Sequence, residues 1–113
     1  MAKELTTIQD LKEYFTGVVS RAEHHAKDVE EIIYPLLGMI IAFKDSDTNI
    51  EAWGQDGTGN LIWVMIKGTR YAFRYEHSPD SIEIHKDTYR GELIEIITNK
   101  NTLNELRDIF SKL

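Results

Sequence analysis

The chain has no cysteine, which excludes a disulfide framework and any thiolate chemistry, and is in keeping with a reducing compartment. The interior must hold by packing alone. Positive charge is scarce, with 13 Lys and Arg against 19 Asp and Glu, so at a net charge of −6 a nucleic-acid backbone or an anionic membrane is repelled. Long apolar runs are missing too. The greasiest segment, "IIYPLLGMIIAF" from Ile32 to Phe43, is interrupted by Pro35 and Gly38 and falls short of the roughly 20 residues that span a bilayer. The opening "MAKELTTIQD" carries no apolar run of the secretory kind, so a cytoplasmic location is expected. There is no internal repeat, low-complexity tract or linker, and residues 1–113 are expected to fold as a single domain.

What is present begins with helical periodicity. Ile8, Leu11, Phe15, Val18 and Ala22 recur at steps of three and four behind a capping pair, Thr6 and Gln9, which predicts a helix from about Thr7 to Ala26. Asp28 with Glu31 is a second capping signal, and Val29, Ile32, Ile33, Leu36, Leu37, Ile40 and Ile41 follow at helical spacing. They predict a second helix kinked near Pro35, whose ring removes a backbone bond. The rival reading ends that helix at Tyr34 and makes "GMIIAFK" a strand. From Asn49 the period changes to two, with turn signals at "QDGTGN", "KGT", "HSPDS" and "TYRG". The strands expected are Ile50–Gly54, Leu61–Lys67, Arg70–Glu76, Ser81–Lys86 and Glu92–Thr98. Thr102 with Glu105 caps a last helix along Leu103, Leu106, Phe110 and Leu113. The fold class is α+β: two N-terminal helices, an antiparallel meander of four to five strands, and a C-terminal helix.

The hairpin "NLIWVMIKGTRYAFRYEH" has apolar residues on both faces. Any even-length turn at Lys67–Arg70 puts Ile62, Val64 and Ile66 on one face with Tyr71, Phe73 and Tyr75, and an even "HSPD" loop adds Ile82 and Ile84. That is the expected core face. The other face then carries Leu61, Trp63, Met65, Ala72, Arg74, Glu83 and His85, with Trp53 joining them, and a solvated face would not usually hold such a row. Three occupants are open: a helix or the C-terminal segment, a second copy of the chain meeting Leu61, Trp63, Met65 and Ala72, or a ligand. For a ligand, Trp63 is the apolar wall, Arg74 binds an anionic or carbonyl group, Glu83 holds Arg74, and His85 exchanges a proton near neutrality.

Other stretches that resemble chemistry read as structure. His24 and Asp28 stand at i, i+4, but two ligands make no metal site, and the spacing brings neither His77 nor His85 near. "GQDGTGN" joins two strands without a following helix, so it lacks the amide cradle of a phosphate loop. Asp45, Asp47, Asn49 and Glu51 alternate like the start of a calcium loop, yet Ile50 stands where the loop needs glycine. His77 with Asp80 is explained by the turn. No catalytic residue, metal or cofactor is expected.

Three blocks, "YFTGVVSRAEHHAKDVEEI", "DGTGNLIWVMIKGTRYAFRYEHSPDSIEI" and "NTLNELRDIF", resemble the small bacterial integron gene-cassette proteins, over nearly the whole chain. The resemblance implies a prokaryotic, cytoplasmic protein carried on a mobile element, and homo-oligomeric. It assigns no activity and no functional residue. The leading expectation is therefore a non-enzymatic module that self-associates, as a dimer or tetramer. The rivals are a small-molecule-binding protein or small hydrolase using Trp63, Arg74, Glu83 and His85, and an acidic inhibitor or immunity protein of a basic partner.

Overall fold

The helical stripe at the N-terminus becomes α1 (Ile8–His25), but a short strand that the sequence does not announce, β1 (Lys3–Leu5), comes first. A computed structural model describes residues 3–25, 29–53, 61–77 and 80–113, and of these only the backbone for 21–25, 77 and 80. After α1 come α2 (Ile33–Phe43), β2 (Ile50–Ala52), β3 (Leu61–Ile66), β4 (Thr69–His77), β5 (Asp80–Lys86), β6 (Leu93–Ile97) and α3 (Leu103–Ser111). The strands form one antiparallel sheet in chain order, so the meander has six strands rather than four or five. Three residues show too little alternation to be read as a strand. Only β2, beside them, shows that they are one.

The helix caps differ in detail from the sequence reading. At α1 the reciprocal pair is Thr7 with Asp10, one residue later than expected: the Asp10 N–H donates to Thr7 Oγ1 at 3.0 Å, and the Asp10 carboxylate accepts from the Thr6 and Thr7 N–H groups. These bonds hold the Asp10 carboxyl below its ordinary value. At α2, Pro35 does not end the helix; it lies in the first turn, where a missing N–H costs least. "GMIIAF" is helical, which removes the strand reading. Asp28 lies outside the described residues, and the Glu31 and Ile32 N–H groups donate instead to Asn99 Oδ1, 3.0 and 2.9 Å away and far along the chain. The Thr102–Glu105 capping box of α3 is present as read, with both of its bonds.

The core lies on one face of the sheet. Ile33, Leu36, Leu37 and Ile40 of α2, with Leu106 and Phe110 of α3, are buried in a single cluster with Ile62, Val64, Ile66, Tyr71, Phe73, Ile82, Ile84 and Ile97. Each such side chain contributes about 1.5–3 kcal/mol on burial. Phe110 ties the layers together, stacked on Phe73 at 5.8 Å and tilted against Phe43 at 5.6 Å. Leu61 and Ala72 are also buried, yet they do not belong to this cluster.

Two turns set the geometry of the sheet. The β3–β4 turn has two residues, Lys67 and Gly68, with φ of 51° and 78°, as a type I′ hairpin requires. Between β5 and β6 the register shifts at Ile84/His85, and the turn of residues 87–91 leaves no room at Gly91, where a Cβ would lie 1.9 Å from the Lys86 carbonyl oxygen.

Candidate functional site

The parity argument holds through the sheet. Ile62 pairs with Phe73, Val64 with Tyr71, Trp63 with Ala72 and Leu61 with Arg74; then Phe73 pairs with Ile84, Ala72 with His85 and Arg74 with Glu83. His77 pairs with Asp80, so the loop is even, although Ser78 and Pro79 lie outside the described residues. The structure therefore places Leu61, Trp63, Met65, Ala72, Arg74, Glu83 and His85 together on the second face. Because α2 and α3 are buried against the first face, neither of these helices covers the second, which corrects that reading of its occupant. A helix cannot be amphipathic toward two places at once: one apolar stripe buries one face.

Two register rows organise this face. One runs Glu4, Glu51, Trp63, Ala72, His85 and Leu93 across the sheet, from β1 to β6. The next brings together Leu61, Arg74, Glu83 and Ile96, with Trp53 at its β2 end, where the Trp53 N–H donates to the Leu61 carbonyl. The Trp53 ring meets Trp63 edge to face at 6.2 Å. Trp53 is 50% exposed, Leu93 47% and Ile96 44%. Burying these apolar surfaces would be favourable, so the face is an incomplete interior rather than an ordinary wet one.

The polar cluster is paired differently from the sequence reading. Glu83 does not serve as the clamp of Arg74: its Oε1 lies 2.8 Å from His85 Nε2, and the Arg74 ion pair is with Glu76 at 3.5 Å. Residues i and i+2 share a strand face, which brings Glu83 to His85 and Glu76 to Arg74 without crossing between strands. The other nitrogen of His85, Nδ1, lies 2.9 Å from the Gly91 carbonyl oxygen. A carbonyl and a carboxylate only accept, so both contacts are served when both ring nitrogens carry hydrogen. With its two nitrogens occupied, His85 fastens the 87–91 turn and offers no free atom to a ligand.

Residues that sequence reasoning passed over complete the face. Arg70 lies 5.0 Å over the Trp63 ring and 3.7 Å from Asp87, with a buried Nε that has no hydrogen-bond partner among the described residues. Tyr89 is flanked by Arg74 at 5.2 Å and Arg90 at 5.1 Å. Arg70 was available from strand parity, but Tyr89, in the turn "TYRG", has no periodic signal. Glu51 is half-buried beside Trp63 and has no ion-pair partner among the described residues.

Elsewhere, the calcium-like series is dispersed: Asp45 accepts from the Lys67 and Gly68 amides, and Asn49 donates to Glu4. The described residues contain no group of three His, Asp or Glu able to hold a metal ion. The side chains of His24, His25, His77 and Asp80, and the glycine loop 54–60, lie outside them. A groove of about 500 Å³ between α1 and α2, lined by Phe15, Val19, Leu37 and Ile41, is on the side away from this face. Among the described residues, no helix is long and apolar enough to cross a membrane.

Helices on one face of an antiparallel meander, opposite an open face with a tryptophan pair and an arginine–carboxylate array, define a small α+β protein. The chain belongs to the family described as integron cassette protein VCH_CASS1 chain, whose family model matches residues 11–107. Among curated proteins, none matches it.

Proposed function

We propose that the protein is a non-enzymatic interaction module of the cytoplasm that associates with itself through the second face of its sheet. The observation that carries this reading is the division of the sheet. One face is filled by α2 and α3, while the other presents Trp53, Trp63, Met65, Leu93 and Ile96 with neither helix over it. The pairing of Glu83 with His85 favours this reading over a ligand pocket or a hydrolase, because the proton-transferring group such a site requires is already engaged.

Light scattering coupled to size exclusion tests it: the expected mass is at least twice 13.1 kDa at micromolar concentration. Trp63→Glu is expected to give monomer with unchanged helix content by circular dichroism. A wild-type protein that stays at 13.1 kDa into the hundred-micromolar range ends the proposal.

A further inference from the structure

The charges on the second face are divided across β3. On the β1–β2 side stand Glu4 and Glu51; on the other side β4 presents Arg70 and Arg74, either side of Ala72, with Glu76, and β5 presents Glu83 and His85. β3 itself contributes Leu61, Trp63 and Met65, with no charge. Glu51, Trp63 and Ala72 lie in one register row.

Two symmetric ways of stacking this face on a copy of itself have opposite electrostatic consequences. A two-fold axis in the contact plane and across the strands superposes each strand on its own equivalent, which sets Glu51 against Glu51 and arginine against arginine. A two-fold axis along β3 exchanges β2 with β4. Glu51 of one copy then lies over Ala72 of the other, a position flanked by two guanidinium groups. The same operation sets Trp63 against its equivalent and Glu4 opposite His85. Both arginines already have a carboxylate of their own chain nearby, Asp87 at 3.7 Å from Arg70 and Glu76 at 3.5 Å from Arg74, so Glu51 of the other copy would join these pairs as a further acceptor, while Glu83 is held by His85. Like charges brought together in a contact are strongly disfavoured, so the arrangement that sets Glu51 against Glu51 is the less favourable of the two.

The geometry points to a two-fold dimer, with its axis along β3, in which Glu51 of each copy sits between Arg70 and Arg74 of the other. This rests on the self-association reading and adds the partner, a second copy of this chain, and its orientation.

Charge reversal tests it. Glu51→Arg and Arg74→Glu are each expected to weaken the dimer ~10-fold or more, as read by concentration-dependent light scattering. Mixed in equal amounts they are expected to recover it as a heterodimer. The arginine introduced at position 51 of one variant then faces the glutamate introduced at position 74 of the other, and the unaltered Arg74 of the first faces the unaltered Glu51 of the second. Native mass spectrometry distinguishes that heterodimer from either parent by mass. If a reversed variant unfolds by circular dichroism, Glu51→Gln and Arg74→Gln decide by the same weakening. A wild-type dimer indifferent to these substitutions, or no recovery between folded variants, overturns this arrangement and leaves self-association standing. A monomeric wild type overturns both.

Discussion

Asp45, which closes the loop after α2, holds Lys67 at the tip of the β3–β4 hairpin: its Oδ1 accepts from the Lys67 N–H at 2.7 Å and its Oδ2 from the Gly68 N–H at 2.8 Å. The Asp45 N–H in turn donates to the Met65 carbonyl. One carboxylate thus satisfies both amides of a turn whose two residues have left-handed backbone. Asp45→Ala is expected to destabilise the protein by about 1.5–3 kcal/mol, the range for hydrogen bonds to a charged group, measured by urea unfolding. Gly68→Ala, at a φ of 78°, is expected to cost about 1 kcal/mol or more.

Asn99 couples the end of the sheet to the start of α2. Since Ile32 provides no side-chain cap, Asn99→Ala leaves the Glu31 and Ile32 N–H groups without their acceptor. A loss of about 1 kcal/mol, as for a missing N-cap, is expected. Asn99→Asp, which keeps the oxygen, is expected to retain most of the stability.

His85 acts as a fastener between Glu83 and the Gly91 carbonyl. His85→Ala is therefore expected to lower stability by about 1–2 kcal/mol and to raise the amide exchange of residues 87–91. Gly91→Ala meets the Lys86 carbonyl oxygen and is expected to cost about 1–3 kcal/mol, as overpacking does. Equal stability of both variants and wild type would count against this role.

Asp10 bears on acid stability. Its folded-state carboxyl titrates lower than in the unfolded chain because it accepts from the Thr6 and Thr7 amides. The stability it contributes is present above the unfolded value of 3.8 and is lost as pH falls through the depressed folded value. A carbon-detected titration is expected to place Asp10 below 3.8, and Asp10→Asn to flatten the acid limb of the stability curve.

How legible this was depended on the range of each interaction. The strand alternation from Leu61 to Ile84 placed every residue on its proper face, because parity passes through any even turn. The α3 capping box was readable since its partners are three residues apart. Asn99 over the start of α2 was not, for its partners lie in another part of the chain and the local Asp28–Glu31 pattern offered a nearer explanation. The polar cluster shows a subtler failure. Arg74 and Glu83 are cross-strand partners, as register demands, yet each carboxylate went to the residue two along its own strand. Register fixes where side chains start, whereas rotamers and competing partners decide where they end.

Strand order equal to chain order has a consequence for how the molecule assembles and opens. From β2 to β6 each pairing joins consecutive strands with no helix between them among the described residues, whereas β1 reaches β2 only across residues 6–49, which include both α1 and α2. Chain closure over that distance carries a larger entropic cost than a hairpin, and among the described residues three residue pairs repay it. β1 is thus expected to form last and to be released most easily, and it lies outside the span matched by the family. Amide exchange at Leu5 and Ile50 faster than at Val64 and Phe73 would register that order. Each release would bring Leu5 out of the core and bare the backbone of β2 as a new sheet margin, beside the row that holds Glu51 and Trp63.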